Sequence, residues 1–267
     1  MEGRLQRQQR TAGWRLLPTT VLGTYAVILL GIYTAAVGAG LTCEARWPLC
    51  DGAVFGLFPA NWPSFVEWFH RLVAMITGLL IVGSWVTIVR FRQSRRALYA
   101  MTAAIVLLPI QIWLGAGTVW GYQLLTLTAH FLVALGILAC IISAATWYLG
   151  IAPRQWPGIV TAYAVLLAAM VPFLVLTPHF LFVHTGGVQM LYYGVGLSIV
   201  GVLVWITVTE YDAGLGLPAI SITGALLVAV QLLAGRVVRT AFIHTVDWIA
   251  AGLTILVLTA GLLVSQR

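Results

Sequence analysis

Eight runs of about twenty apolar residues follow one another along this chain, and nothing else in it constrains the fold as strongly. A run of that length crosses the hydrocarbon core of a bilayer as an α-helix. Backbone N–H and C=O groups find no water there, so only helices and closed barrels satisfy them. The runs fall at about 17–40, 65–89, 97–117, 124–148, 157–177, 183–208, 216–235 and 243–264, with short connectors between them. Because 61% of the 267 residues are hydrophobic and 8% are charged, little chain remains for a water-facing domain. The predicted class is an all-α polytopic membrane protein with eight transmembrane helices. The first run is too long for a cleavable signal peptide and lacks a small-residue cleavage site after it, so it reads as the first span.

All fourteen basic residues are arginine. Arg4, Arg7, Arg10 and Arg15 precede the first span, and Arg90, Arg92, Arg95 and Arg96 lie between the second and third. Such clusters mark cytoplasmic segments. The expected location is therefore the plasma membrane, in contact with lipid, with the N-terminus cytoplasmic. The net charge of +7 is gathered at span ends, which argues against nucleic acid as a partner. Arg46, Arg71, Arg236 and Arg239 fall on the outer side, close to the histidines or the cysteine loop, where local work is the better reading.

A break at Ala152-Pro153-Arg154-Gln155-Trp156-Pro157 separates a half at 1–150 from a half at 151–267, each with four spans. Four is even, so both halves take one orientation, as a parallel repeat about an axis along the membrane normal. The expectation is two pseudo-symmetric four-helix bundles. The histidines repeat too: His70 and His130 are 60 residues apart, His184 and His244 are 60 apart, and the second pair follows the first by 114. Gln111 stands four residues before Gly115, and Gln231 four before Gly235. All four histidines fall near the outer ends of inward-running spans, where each pair can face across its bundle. His179 lies outside this pattern and is a rival ligand.

Ionisable residues inside spans are expensive and mark function. Zinc calls for about four protein donors. Two opposed imidazoles suit heme iron instead, since the porphyrin fills the other positions, and four-helix bundles build such sites from facing side chains. Arg71, Arg236 and Arg239 are placed to meet heme propionates, with lipid headgroups as the plainer alternative. Glu67 shares a helix face with His70; it suits proton relay beside a reacting group, or an ion pair with Arg71. The second half has no acid matching Glu67, and Asp247 reads as a partner that orients His244. That asymmetry suggests chemistry at one site and a held cofactor at the other. Cys43 and Cys50 lie in the first outer loop, where an oxidising environment favours a disulfide. Both a structural staple and a redox-active pair fit it. Cys140 reads as a small packing residue.

The loop ending Trp47-Pro48-Leu49-Cys50, the run Glu67-x-x-His70-Arg71 and one histidine in each later even-numbered span resemble the heme A synthase family, over about residues 20 to 264. The resemblance implies oxidation of the porphyrin C8 methyl group of heme O to a formyl group. Two successive hydroxylations give a geminal diol that loses water, and the heme A formed serves terminal oxidases. It also implies that His70 and His130 receive heme O in the first half, with Glu67 catalytic, and that His184 and His244 hold heme b in the second. Heme O synthase and terminal oxidase assembly factors are the implied partners. The electron donor stays unnamed and self-association into a homo-oligomer stays open. Two departures stand out: the loop at 178–183 carries no second cysteine pair, and His184 is followed by threonine rather than arginine.

Two other classes compete. A quinol-linked diheme electron carrier of the cytochrome b kind explains four histidines but not Glu67 or the cysteine pair. A transporter with repeated halves calls for broken helices with charges near the midplane, which the sequence does not show.

Overall fold

The computed structural model describes residues 2–43, 46, 48–50, 53–54, 57–91, 94–120, 123–151, 158–177, 185–236 and 241–266. Each apolar run forms a helix. α1 spans Glu2–Ala36, α2 Trp62–Phe91, α3 Arg95–Trp120 and α4 Leu124–Leu149; α5 spans Ile159–Val175, α6 Gly186–Thr209, α7 Gly216–Ala234 and α8 Ala241–Ser265. Seven of these are long and apolar enough to cross a membrane, and the chain is a multi-pass membrane protein. The exception is α5: at 17 residues it is about 25 Å long, under the roughly 30 Å of a hydrocarbon core, and it is shorter than the run at 157–177 suggested. Pro172 sits inside its last turn, and the helix ends three residues later. Proline removes a backbone donor and crowds the preceding turn.

The chain divides into two compact units, Met1–Leu149 and Gly150–Arg267. Gly150, at φ 63°, takes the left-handed conformation just after α4, where a glycine carries no Cβ penalty. In the first unit α1 packs on α2 and α4, and α3 packs on α2 and α4, so α2 and α4 stand diagonally. In the second unit α5 packs on α6 and α8, and α7 on α6 and α8.

The buried core of the first unit is Leu17, Ile81, Ile88, Met101, Ile137, Ile141 and their neighbours. These come from the first half of α1 and α3 and the second half of α2 and α4, so the core lies toward one end of the unit. A Thr20–Ser84 hydroxyl pair at 2.8 Å joins α1 to α2 there, and the Trp85 indole N–H donates to Thr102 across α2 and α3 at 3.1 Å. His70 and His130 lie at the other end, where α3 contributes no buried residue after Ala104.

The second unit is packed differently. Phe173 and Tyr192 stack at 4.8 Å, and Tyr193 meets Tyr192 edge-on at 5.2 Å. Their hydroxyls donate to α7 carbonyls, Tyr192 to Gln231 at 3.0 Å and Tyr193 to Leu232 at 2.8 Å. Buried tyrosines need such partners. One element had no sequence signal: a two-stranded antiparallel hairpin, β1 (Ala53–Val54) with β2 (Phe58–Pro59), between α1 and α2.

Candidate functional site

The first turns of α2 are built to carry a site. Asn61 caps the helix, its side-chain oxygen accepting the Ser64 N–H at 3.0 Å, and so satisfies one of the donors a helix N-terminus leaves open. One turn on, Glu67 is 2% exposed. A buried carboxylate needs donors, and it has three. Oε2 accepts the Cys43 backbone N–H at 2.7 Å and the Thr42 hydroxyl at 3.0 Å, while Oε1 pairs with the Arg71 guanidinium. Arg71 Nη1 also donates to the Arg46 carbonyl at 3.4 Å. The ion pair with Arg71 is therefore present, and the carboxylate is also the clasp that holds the cysteine loop to α2.

Cys43 and Cys50 form the expected disulfide, and both sulfurs lie 3.6 Å from the Ser64 carbonyl oxygen. The bridge is buried against Trp68, with Phe65 and Leu72 beside it. Phe58 of the hairpin packs on Trp68 at 4.8 Å between ring centroids. The segment between α1 and α2 is thus fastened to α2 by a carboxylate, a disulfide and an aromatic contact, all within two turns of His70.

His70 on α2 and His130 on α4 come from the diagonal helices of the unit. Each ring is seated on a glycine of a neighbouring helix. A Cβ at Gly31 of α1 would stand 3.0 Å from His70 Cε1, and one at Gly115 of α3 would stand 3.0 Å from His130 Cε1. A Cβ at either glycine would require the ring to give by a few tenths of an ångström. His70 Nδ1 is buried and accepts or donates no hydrogen bond. The Nε2 of His130 meets the Gln111 amide nitrogen at 3.3 Å. Cys140 is half-buried and packs against the core at the far end.

In the second unit His244 lies on α8, half-buried, with the buried Asp247 three residues on. Arg236 follows α7; its Nε donates to the Tyr193 hydroxyl at 3.2 Å and its guanidinium lies over that ring at 5.4 Å. His184, His179 and Arg239 lie outside the described residues, as do Arg92 and the break at 152–157. The Gln–Gly echo has a different use here. Gln231 donates to Thr254 at 2.9 Å, and the ring against Gly235 is Tyr192, 3.1 Å from a Cβ placed there.

Among the described residues no three His, Cys, Asp or Glu side chains gather into a metal cluster. A closed zinc site needs such a set. The donor set of the first unit is two imidazoles on diagonal helices, each cleared by a glycine, one with an unpartnered buried nitrogen. That set fits a porphyrin iron, which asks the protein for axial ligands alone.

A multi-pass helical membrane protein with imidazoles set at helix ends beside a disulfide-bonded loop is the class these features define. The sequence pattern of the COX15-CtaA family, described as cytochrome oxidase assembly protein, matches residues 14–179, and the chain belongs to that family, which includes the heme A synthases. The resemblance read from the motifs is borne out. A heme A synthase of Bacillus licheniformis is 29% identical over 121 residues, covering 43% of this chain and 38% of its own length. One from Alkalihalophilus pseudofirmus is 31% identical over 128 residues, 46% of this chain and 42% of its own. A protoheme IX farnesyltransferase of Halobacterium salinarum is 31% identical over 183 residues, 61% of this chain but 39% of that protein. The aligned part is less than half the length of each of these relatives.

Of the site residues, Thr42 and Gly31 carry no signal in the sequence, whereas Gln111 and Gly115 had one, the four-residue spacing repeated at Gln231 and Gly235.

Proposed function

We propose that this chain is a heme A synthase that oxidises the C8 methyl group of heme O to a formyl group. In this reading the eight helices form two four-helix bundles. The first receives heme O through His70 and His130; the second holds heme b through His184 and His244, with Arg236 and Arg239 near its propionates. Following the arginine placement, the N-terminus is cytoplasmic and the histidines lie near the outer face. The observation that carries the reading is the pair of glycine-seated imidazoles on the diagonal helices α2 and α4.

The substrate's methyl carbon loses two hydrogens and gains one oxygen overall. Two hydroxylations and loss of water from the geminal diol achieve this, with oxidant and electrons supplied from outside the chain. Bound heme b would supply one-electron chemistry. The chain's own work is to hold the substrate iron at imidazole, keep the carbon near Glu67, and cover the site with the loop clasped to α2. Glu67 stands as the catalytic carboxylate of this reading, although its three donors in this structure must loosen before it can exchange a proton. Heme O synthase and oxidase assembly factors are the proposed partners.

A farnesyl-transferring role, which one relative's name raises, fits less well. Prenyl diphosphates are usually held through Mg²⁺ on clustered carboxylates, and the seven acids here are scattered along the chain. The test is pigment extraction from cells that express this chain with and without a heme O synthase. Heme A should appear only when both are present. A stable b-type spectrum with no heme A under those conditions would favour an electron carrier instead.

A further inference from the structure

We infer that Gln111 is a displaceable placeholder on the ligand nitrogen of His130, and that it makes the first unit's heme site exchangeable. The inference rests on the proposed heme O site. The Gln111 amide nitrogen lies 3.3 Å from His130 Nε2. With His130 Nε2 unprotonated, the form that iron ligation through it also requires, the amide N–H donates to it, so coordination has to break that contact. Its Oε1 is buried and accepts no hydrogen bond, as is also true of Gln231 Oε1 in the second unit, so what sets Gln111 apart is that its nitrogen lies against a histidine. Gly115, one turn further on α3, completes the seat by leaving the ring room.

The second unit repeats the sequence spacing without the device. Gln231 turns its amide to Thr254 at 2.9 Å and to the Leu227 carbonyl at 3.3 Å. A site that must release a product benefits from a built-in competitor for its iron ligand; a site that keeps a cofactor does not. Gln111 is therefore a positioning residue that sets how tightly, and for how long, porphyrin iron stays on His130.

The test uses the full chain in detergent, ferric protoporphyrin IX as the probe, and apomyoglobin to capture heme that leaves. Gln111→Leu removes one hydrogen bond that binding must otherwise break. A single net hydrogen bond corresponds to roughly a 2- to 10-fold change in an equilibrium constant. The exchangeable heme should bind that much tighter in Gln111→Leu and leave correspondingly more slowly, with its low-spin spectrum unchanged. Gln111→Met, closer in shape, should do the same and serves if the leucine variant does not fold. Loss of packing alone would weaken binding, so a gain separates the two causes. Unchanged or weaker binding in both variants overturns the role of Gln111. His130→Ala tests the underlying reading separately. It should abolish the exchangeable heme, and if that heme persists unaltered, the site is not on His130 and the reading of the first unit fails.

Discussion

Removing the Glu67 carboxylate should loosen the cysteine loop by a measurable amount. In Glu67→Ala the Cys43 N–H, buried at a residue 1% exposed, loses its acceptor. An orphaned buried donor costs about 1–3 kcal/mol. Thr42 loses less, because its hydroxyl also donates to the Ala39 carbonyl at 2.9 Å. Arg71 is 19% exposed along its side chain and can turn toward solvent, so its ion pair adds about 1 kcal/mol. The total is about 3 kcal/mol, or roughly a hundredfold in the frequency with which the loop lifts from α2. Reduction of the buried Cys43–Cys50 bridge requires that lifting. Timed reduction by a phosphine, followed by maleimide-polyethylene glycol labelling and a gel shift, should run about a hundredfold faster in Glu67→Ala. Glu67→Gln keeps an oxygen for the Cys43 N–H and loses the charge, so its rate should rise about tenfold. If Glu67→Ala is reduced within about twofold of the native rate, the carboxylate does not hold the loop, and the energies assigned to these bonds are wrong. Loss of heme O conversion without faster reduction would leave Glu67 a purely chemical role.

Three further outcomes are expected. Under the proposed function, His184→Ala or His244→Ala should lose a stable b heme, whereas Glu67→Ala should keep it; reduced-minus-oxidised spectra of purified protein distinguish them. Gly115→Ala puts a Cβ 3.0 Å from His130 Cε1, and the ring must shift by a few tenths of an ångström. Heme occupancy of the first unit should fall severalfold while thermal stability in detergent moves by about 1 kcal/mol or less, the usual range away from the core. Opening the disulfide with Cys43→Ser, across a sequence separation of 7, should destabilise the loop segment by about 2–3 kcal/mol, read as faster proteolysis between α1 and α2.

Helical class, membrane character, the disulfide and family membership were all legible in the residues. An apolar run of about twenty residues folds as a helix in a bilayer, since its backbone must bond to itself; all eight runs do so, seven of them at a length that can cross. The remaining one, α5, has 17 residues where its run had about twenty, with Pro172 inside it. The cysteine pair was legible because two cysteines in one short loop, expected on an oxidising side, favour a disulfide. The Glu67–Arg71 pair, one helical turn apart, needed only the period of the helix.

What the residues could not convey was which helices rotate toward which. Glu67 takes its donors from Thr42 and Cys43, about 25 positions away, because a turn after α1 brings that loop over the head of α2. The Gln–Gly spacing is identical in both halves, yet Gly115 meets a histidine and Gly235 a tyrosine. Spacing along one helix specifies a face; the identity of the ring on that face depends on the axial shift and rotation of the neighbouring helix. Composition and periodicity alone therefore established a helical membrane protein with imidazoles at helix ends. Only the packing of α1 and α3 against α2 and α4 decided that those rings sit on glycines, that one carries an amide over its nitrogen, and that a buried carboxylate fastens the loop beside them.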